Sequence, residues 1–189
     1  MKKSLGAKTL IFPTPVWVVA SYDKKGRPNA ATVAWGGICN SRPPSVAVSL
    51  RKSRYSYDNI IDRKAFTLNV PCAKQIKIAD YCGIASGKNA DKFSKTGITA
   101  VKSAIVDAPY IQEFPMILEC RLLNTFELGA HTQFVGEIMD VKVDENMLGK
   151  EGLPDILKIR PALFCPEVFA YHEVGDYIGR AFSIGKEIT

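Results

Sequence analysis

The stretch from Asn29 to Asn59, NAATVAWGGICNSRPPSVAVSLRKSRYSYDN, decides how this chain is read. Asn29 to Trp35 and Ser45 to Leu50 carry the small and β-branched apolar residues of strands, with a connection rich in Gly, Asn and Pro between them. After Leu50 the pattern changes. Ser53 or Ser56 can cap a helix running to about Arg63, with Asp58 in its first turn and Ile60 and Ile61 facing inward. Strands that feed an arginine-bearing helix start set an apolar wall beside a polar, cationic cluster.

Such a pairing suits a cofactor with one flat apolar end and one anionic end, and the candidate is FMN. Asn29, Thr32, Cys39 and Asn40 can address the polar edge of a planar ring, while Trp35 offers a broad wall or simply fills a barrel. Ser49, Arg51, Arg54 and Ser56 can gather around a phosphate, since a guanidinium fork matches two phosphate oxygens. Arg51 directly follows the second strand, so Arg51→Ala is expected to weaken FMN retention more than Arg54→Ala. Cys39 reads either as a thiol beside the cofactor, facing a metal ion or electron acceptor, or as a small buried hydrophobe.

Working outward, 189 residues with 47% hydrophobic composition fit one well-buried core, a single domain over residues 1–189. The net charge of +6 is spread among interspersed acidic residues. That distribution argues against a nucleic-acid footprint and suits an anionic cofactor or an acidic redox partner. Five cysteines, an odd number with no C-x-x-C pair, read as free thiols in a reducing cytoplasm. Lys2 and Lys3 precede an apolar run that resembles a signal peptide, but Pro13 and Pro15 interrupt it, so it reads as a first strand. No apolar run approaches the ~20 residues that span a bilayer, and no membrane role is expected.

Strands are expected at Thr14 to Ser21, Ala65 to Val70, Ile98 to Val106, Met116 to Leu128, Gln133 to Val143 and Val168 to Tyr171. A helix is expected from Ala73 to Ile84, ended by Gly83 and Gly87, and Asp91-Lys92-Phe93 is placed on a connection where a side chain can reach a ligand. Lys92 then reads as a phosphate-binding point charge or as surface. Many antiparallel strands with few helices favour a mainly β fold, a β-barrel with peripheral helices. No G-x-G-x-x-G follows a strand, which argues against a Rossmann site. His131 and His172 lack partners at metal-ligand spacing, and no catalytic side-chain triad is present; a flavin would carry the chemistry itself.

The chain resembles the flavin reductase-like family with the FMN-binding split-barrel fold, a Greek-key-like antiparallel barrel, and within it the flavoredoxin and ferric reductase branch. The resemblance rests on Pro13 to Val19, Asn29 to Trp35, Pro44 to Arg51, Ala65 to Val70, Asp91-Lys92-Phe93 and His131 to Glu137, in that order and spacing. It implies a homodimer with one non-covalent FMN per barrel. Asn29, Ala31, Thr32, Val33, Ala34 and Trp35 would line the ring, Ser49, Leu50, Arg51, Ser56 and Lys92 would surround the phosphate end, and Phe164 would cover the ring, from its own or the partner subunit. It also implies electron transfer from NAD(P)H or a small redox protein to a flavin, ferric or protein acceptor. The alternative is a non-enzymatic barrel that binds flavin or a partner without turnover.

Overall fold

A computed structural model describes residues 1–188. Its framework is a seven-stranded antiparallel sheet built from β2 (Trp17–Tyr22), β3 (Pro28–Val33), β4 (Gly36–Ser41), β5 (Pro44–Leu50), β6 (Ala65–Val70), β9 (Met116–Leu128) and β10 (His131–Val143), in the order β3-β2-β6-β9-β10-β5-β4. The two ends of this order, β3 and β4, are adjacent in the chain and joined by the Ala34–Trp35 corner. The sheet therefore curls on itself. Ser49 donates its backbone N–H to the Trp35 carbonyl at 2.8 Å, extending the β4–β5 ladder up to the corner.

Alternation along the strands sorts two cores onto the two faces of the wall. Val19, Val33, Val48, Phe66, Leu68 and Phe134 fill the interior together with Ile60 of α1 (Tyr55–Arg63), which plugs the barrel. Val18, Ala30 and Ile117 point the other way, onto α2 (Ile76–Ile84), α3 (Lys92–Thr96) and the hairpin of β7 (Ala100–Lys102) and β8 (Pro109–Ile111). A second, three-stranded sheet, β1 (Thr14–Pro15), β11 (Ala162–Cys165) and β12 (Ala170–Glu173), lies in the order β1-β11-β12, after the short α4 (Ile156–Ile159).

Three strand expectations change. β4 was not foreseen, because Gly36, Gly37, Asn40 and Ser41 resemble a loop; its pairing with β5 supplies the hydrogen bonds that local propensity does not. The expected strand from Ile98 shrinks to Ala100–Lys102, since Ser103 accepts the N–H groups of Ile105 and Val106 and turns the chain. The expected terminal strand is the second arm of a hairpin whose first arm, β11, was missed among the prolines.

Neither Ser53 nor Ser56 caps α1. Arg54 holds the cap position with no side-chain hydrogen bond to the helix, and Ser56 is a buried helical residue. The first N–H groups of α1 are thus left for another partner.

Gly136 lies at a register shift where β10 crosses Phe66: a Cβ there would stand 2.6 Å from the Phe66 ring and 3.1 Å from Cys120 Cβ. With both neighbours fully buried, Gly136→Ala is expected to destabilise the fold by about 1–3 kcal/mol through overpacking, measured as a lower urea midpoint at unchanged m-value.

Candidate functional site

Four cavities follow one another along β3 and share residues at their borders. At the apolar end, about 250 Å³ is enclosed by Val16, Val33, Ala34, Trp35, Phe164 and Tyr171, with Arg54 and Gly83 at one side. The next, about 350 Å³, shares Thr32 to Trp35 and Arg54 with it and adds Ser49, Leu50, Arg51 and His131. A third, about 150 Å³, is bordered by Asn29, Ala31, Ser53 to Ser56, Gly87 and Lys92. Asn29, Tyr55 and Gly87 also border a polar fourth cavity of about 330 Å³, over Asp23 and Arg27. Arg54 borders the first three, so the groove turns around its side chain.

The groove's polarity follows β3. Its Trp35 end is aromatic and apolar, and its Asn29 end carries donors. Asn29 Nδ2 donates to Ser56 Oγ at 2.7 Å, leaving the Ser56 hydroxyl proton for another acceptor. Lys92 is 4% exposed, and its Nζ donates to the carbonyls of Ala30 at 2.6 Å and Cys82 at 2.8 Å, with a third N–H to spare. Together with the uncapped start of the nine-residue α1, these groups form a cradle of donors suited to a phosphate.

α2 organises this cradle from behind. Thr32 donates its hydroxyl to the Ala79 carbonyl, and Arg54 Nη1 donates to the Gly83 carbonyl at 2.8 Å. Carbonyls in the last turn of a helix have no intrahelical donors, and Cys82 and Gly83 satisfy theirs with Lys92 and Arg54. Gly87, just beyond, is pressed against the groove: a Cβ there would collide with the Asn29 amide and stand 2.7 Å from the Tyr55 ring. At the far end, Asp23 accepts N–H groups from Lys25 and Arg27 and the Tyr55 hydroxyl. Burial pushes its pKa up, but the hydrogen bonds from Arg27, Tyr55 and Lys25 outweigh that and hold its carboxyl at about 2.

Of the residues singled out in the sequence, Thr32, Val33, Ala34, Trp35, Ser49, Leu50 and Arg51 meet in one cavity, whereas Ala31, Ser56 and Lys92 meet in the adjoining one. Asn29 belongs with the latter, at the polar end, and does not border the cavities around Trp35. Thr32 has committed its proton to α2. Lys92 does not sit on a free connection: Asp91 caps α3 by accepting the Ser94 N–H, and Lys92 is the first helical residue, turned inward. Phe164 borders the same cavity as Trp35 of its own chain, so a partner subunit is not needed to bring it there.

Cys39 and Asn40 do not line these cavities. Both are exposed on β4, outside the groove; Asn40 donates to the Pro43 carbonyl at 3.0 Å and serves its own hairpin turn. No group of three or more His, Cys, Asp or Glu among the described residues can hold a metal ion, so Cys39 has no metal-binding company. Sequence reasoning ranked Arg54 below Arg51 and missed Tyr55, Gly87 and Tyr171. The only signal for Tyr171 was its place in a short aromatic strand.

A family model described as the flavin reductase-like domain matches residues 9–172. The chain belongs to the flavin reductase-like family. The family's split-barrel fold accounts for the curled sheet and the groove at its seam. Among solved structures, flavoredoxin of Desulfovibrio vulgaris (Miyazaki F) is 53% identical with a TM-score of 0.95, over 98% of this chain and 100% of that one. Flavoredoxin from Methanosarcina acetivorans is 32% identical with a TM-score of 0.93, over 100% of both chains. An NADPH-flavin oxidoreductase of Streptomyces viridifaciens is 29% identical over 154 residues, 80% of this chain and 75% of its own length. Membership in this flavin-binding family assigns the chain a flavin-related redox role. Among the described residues no helix is long and apolar enough to cross a membrane.

Burial brings the Lys92 ammonium down to about 8; the positive charge of Arg54 acts the same way, and Cys82 opposes both. Between pH 8 and the ordinary lysine value the unfolded chain binds more protons at this site than the folded one. The burial penalty is therefore complete below about pH 8 and is relieved as pH rises above it. A bound phosphate favours the charged form. FMN affinity is accordingly expected to fall roughly tenfold between about pH 7 and 9.5, with riboflavin, which lacks the phosphate, unaffected and Lys92→Met abolishing the difference, as measured by fluorescence titration.

Proposed function

We propose that this protein is a flavoredoxin-like oxidoreductase that holds FMN along β3, the ring at the Trp35 and Phe164 end and the phosphate at the start of α1. The observation that carries this reading is the gradient of the groove: apolar aromatics at one end, and at the other Lys92, Ser56 and the free N–H groups of α1. The similarity to two flavoredoxins supports the same cofactor. The residues present fit the group. When bound, the flavin supplies hydride and single-electron chemistry of its own.

The chain's residues then have binding and shielding roles. Trp35, Val33 and Phe164 exclude water from the ring end, which strengthens every polar contact made there. Arg54 stands where the groove passes from apolar to polar and offers a guanidinium to an anion on either side of it. Lys92, neutralised in part by two carbonyls, supplies a buried cation whose remaining donor is available to a phosphate oxygen. Ser49 spends its N–H on the Trp35 carbonyl and borders the groove, where its hydroxyl can serve an anion. No acid or base side chain is required.

Electrons arrive from NAD(P)H or a small redox protein and leave to a ferric, flavin or protein acceptor in the cytoplasm. We place the protein as a homodimer, supported by apolar side chains left exposed on β9 and β10, among them Leu123 at 48%, Phe126 at 48% and Leu128 at 58%. Light scattering is expected to give twice the chain mass.

Protein purified with excess FMN is expected to be yellow and to oxidise NAD(P)H, or accept electrons from a reduced redox protein, in the presence of a ferric chelate. A colourless protein that takes up no flavin would refute the reading, and bound flavin that no donor reduces would leave a binding barrel in its place. Because Arg54 borders three of the cavities and Arg51 one, we propose the opposite order to the one expected from sequence. Arg54→Ala is expected to weaken FMN binding by about tenfold, the loss of one charge-assisted hydrogen bond, and Arg51→Ala by less, compared by dissociation constant.

A further inference from the structure

We infer that the hydrogen bond from Tyr171 to Asp80 latches the β11–β12 hairpin over the apolar end of the groove, making Asp80 a positioning residue that governs how long a flavin stays bound. The inference rests on the placement of the ring end proposed above. The Tyr171 hydroxyl donates to Asp80 Oδ1 at 2.6 Å, joining β12 to α2 across a sequence separation of 91 residues. Tyr171 pairs across the hairpin with Phe164, their ring centroids 5.7 Å apart, and both rings border the apolar cavity. Whatever holds Tyr171 therefore holds Phe164.

The hairpin needs such a tie. It belongs to the small sheet and not to the barrel wall, and it joins that sheet through the two-residue β1. β11 is fastened by Thr14, whose hydroxyl donates to the Phe164 carbonyl at 2.8 Å, and by the N–H of Ala73 to the carbonyl of Arg160 at 2.9 Å. β12 is the outer edge. Among the described residues its other side-chain hydrogen bond runs from Arg160 to Glu173, within the hairpin's own approach, and ties it to nothing else. Beside Tyr171 opens a further cavity of about 250 Å³, bordered by Ala73, Ile76, Ala162 and His172, while Ala162 and Phe164 of β11 pack into the core.

Burial, reinforced by the Asp80 carboxylate, raises the Tyr171 pKa, so the hydroxyl remains a donor at any working pH. Asp80 sits one residue after Ala79 and two before Cys82, in the turn that also secures Thr32, Lys92 and Arg54. One helical turn thus orients both the floor of the groove and its cover. In this arrangement, the same barrel keeps FMN as a resident group while the latch is intact and exchanges it as a substrate when it is lost.

The test compares FMN-loaded wild type with Tyr171→Phe, Asp80→Ala and the double variant, following flavin fluorescence after dilution. Each single variant is expected to release FMN about tenfold faster, within the range for a hydrogen bond to a charged group, and the double variant no faster than either single one. A parallel measurement of amide hydrogen exchange on the flavin-free proteins should show faster exchange in residues 162–173 of the variants, with β9 and β10 unchanged. Release rates equal to wild type, effects that multiply in the double variant, or unchanged exchange in the hairpin would overturn the latch. If no protein in the set takes up FMN, the flavin reading itself fails, while the exchange data still decide whether Asp80 holds the hairpin. Tyr171→Phe removes one hydroxyl and keeps the ring, so generally increased exchange in Asp80→Ala alone would mark misfolding of that variant and leave the decision to Tyr171→Phe.

Discussion

The last turn of α2 is the constraint on which the groove depends. Its free backbone carbonyls must find donors, and the chain supplies them from two separate elements, Lys92 of α3 at Cys82 and Arg54 at the start of α1 at Gly83, while Thr32 of β3 adds a hydrogen bond to the Ala79 carbonyl one turn earlier. A buried lysine without such partners would lose its charge or unfold its surroundings. With them it remains a cation within reach of working pH. Side chains that look unrelated in sequence are held together because one helix end has unmet hydrogen-bonding capacity.

The barrel supplies the other half of the arrangement. Because β3 and β4 are both chain neighbours and the two ends of the sheet order, closing the sheet forces the sharp Ala34–Trp35 corner and sets Trp35 at the seam. The interior is filled by Phe66, Phe134 and Ile60, all fully buried, so a ligand is left the outer seam and not the lumen. A groove at a seam has two unlike walls. Here they are the β3 corner, rich in apolar surface, and the exposed start of α1, rich in donors, and this contrast is what suits an amphipathic nucleotide.

The strands with the strongest β-branched and apolar runs, β2, β5, β6, β9 and β10, were legible along the chain, as were α1 and the composition of the groove. Those runs form strands in almost any context, since one face must be buried. β4 and β11 were not legible, because their glycines, polar residues and flanking prolines become strands only by pairing with β5 and with β1 and β12. Cys39 and Asn40 looked like ring-edge contacts by proximity to Trp35, but β4 carries them away on an exposed hairpin. Lys92 read as lying on a connection, a phosphate ligand or a surface residue, yet Asp91 caps α3 and turns the lysine inward.

By itself the sequence determined the class of the fold, the family and the kinds of group at the groove, because periodicity, composition and ordered motifs are properties of the chain read locally. Only the tertiary structure decided which of those groups meet. It divided Arg51 and Ser49 from Ser56 and Lys92, moved Asn29 to the polar end, put Arg54 between the cavities and joined Tyr171 to Asp80. The physical reason is that hydrogen bonds between distant residues, such as the 62-residue separation from Lys92 to Ala30, form only after the barrel has closed, and no local pattern records where their partners will be.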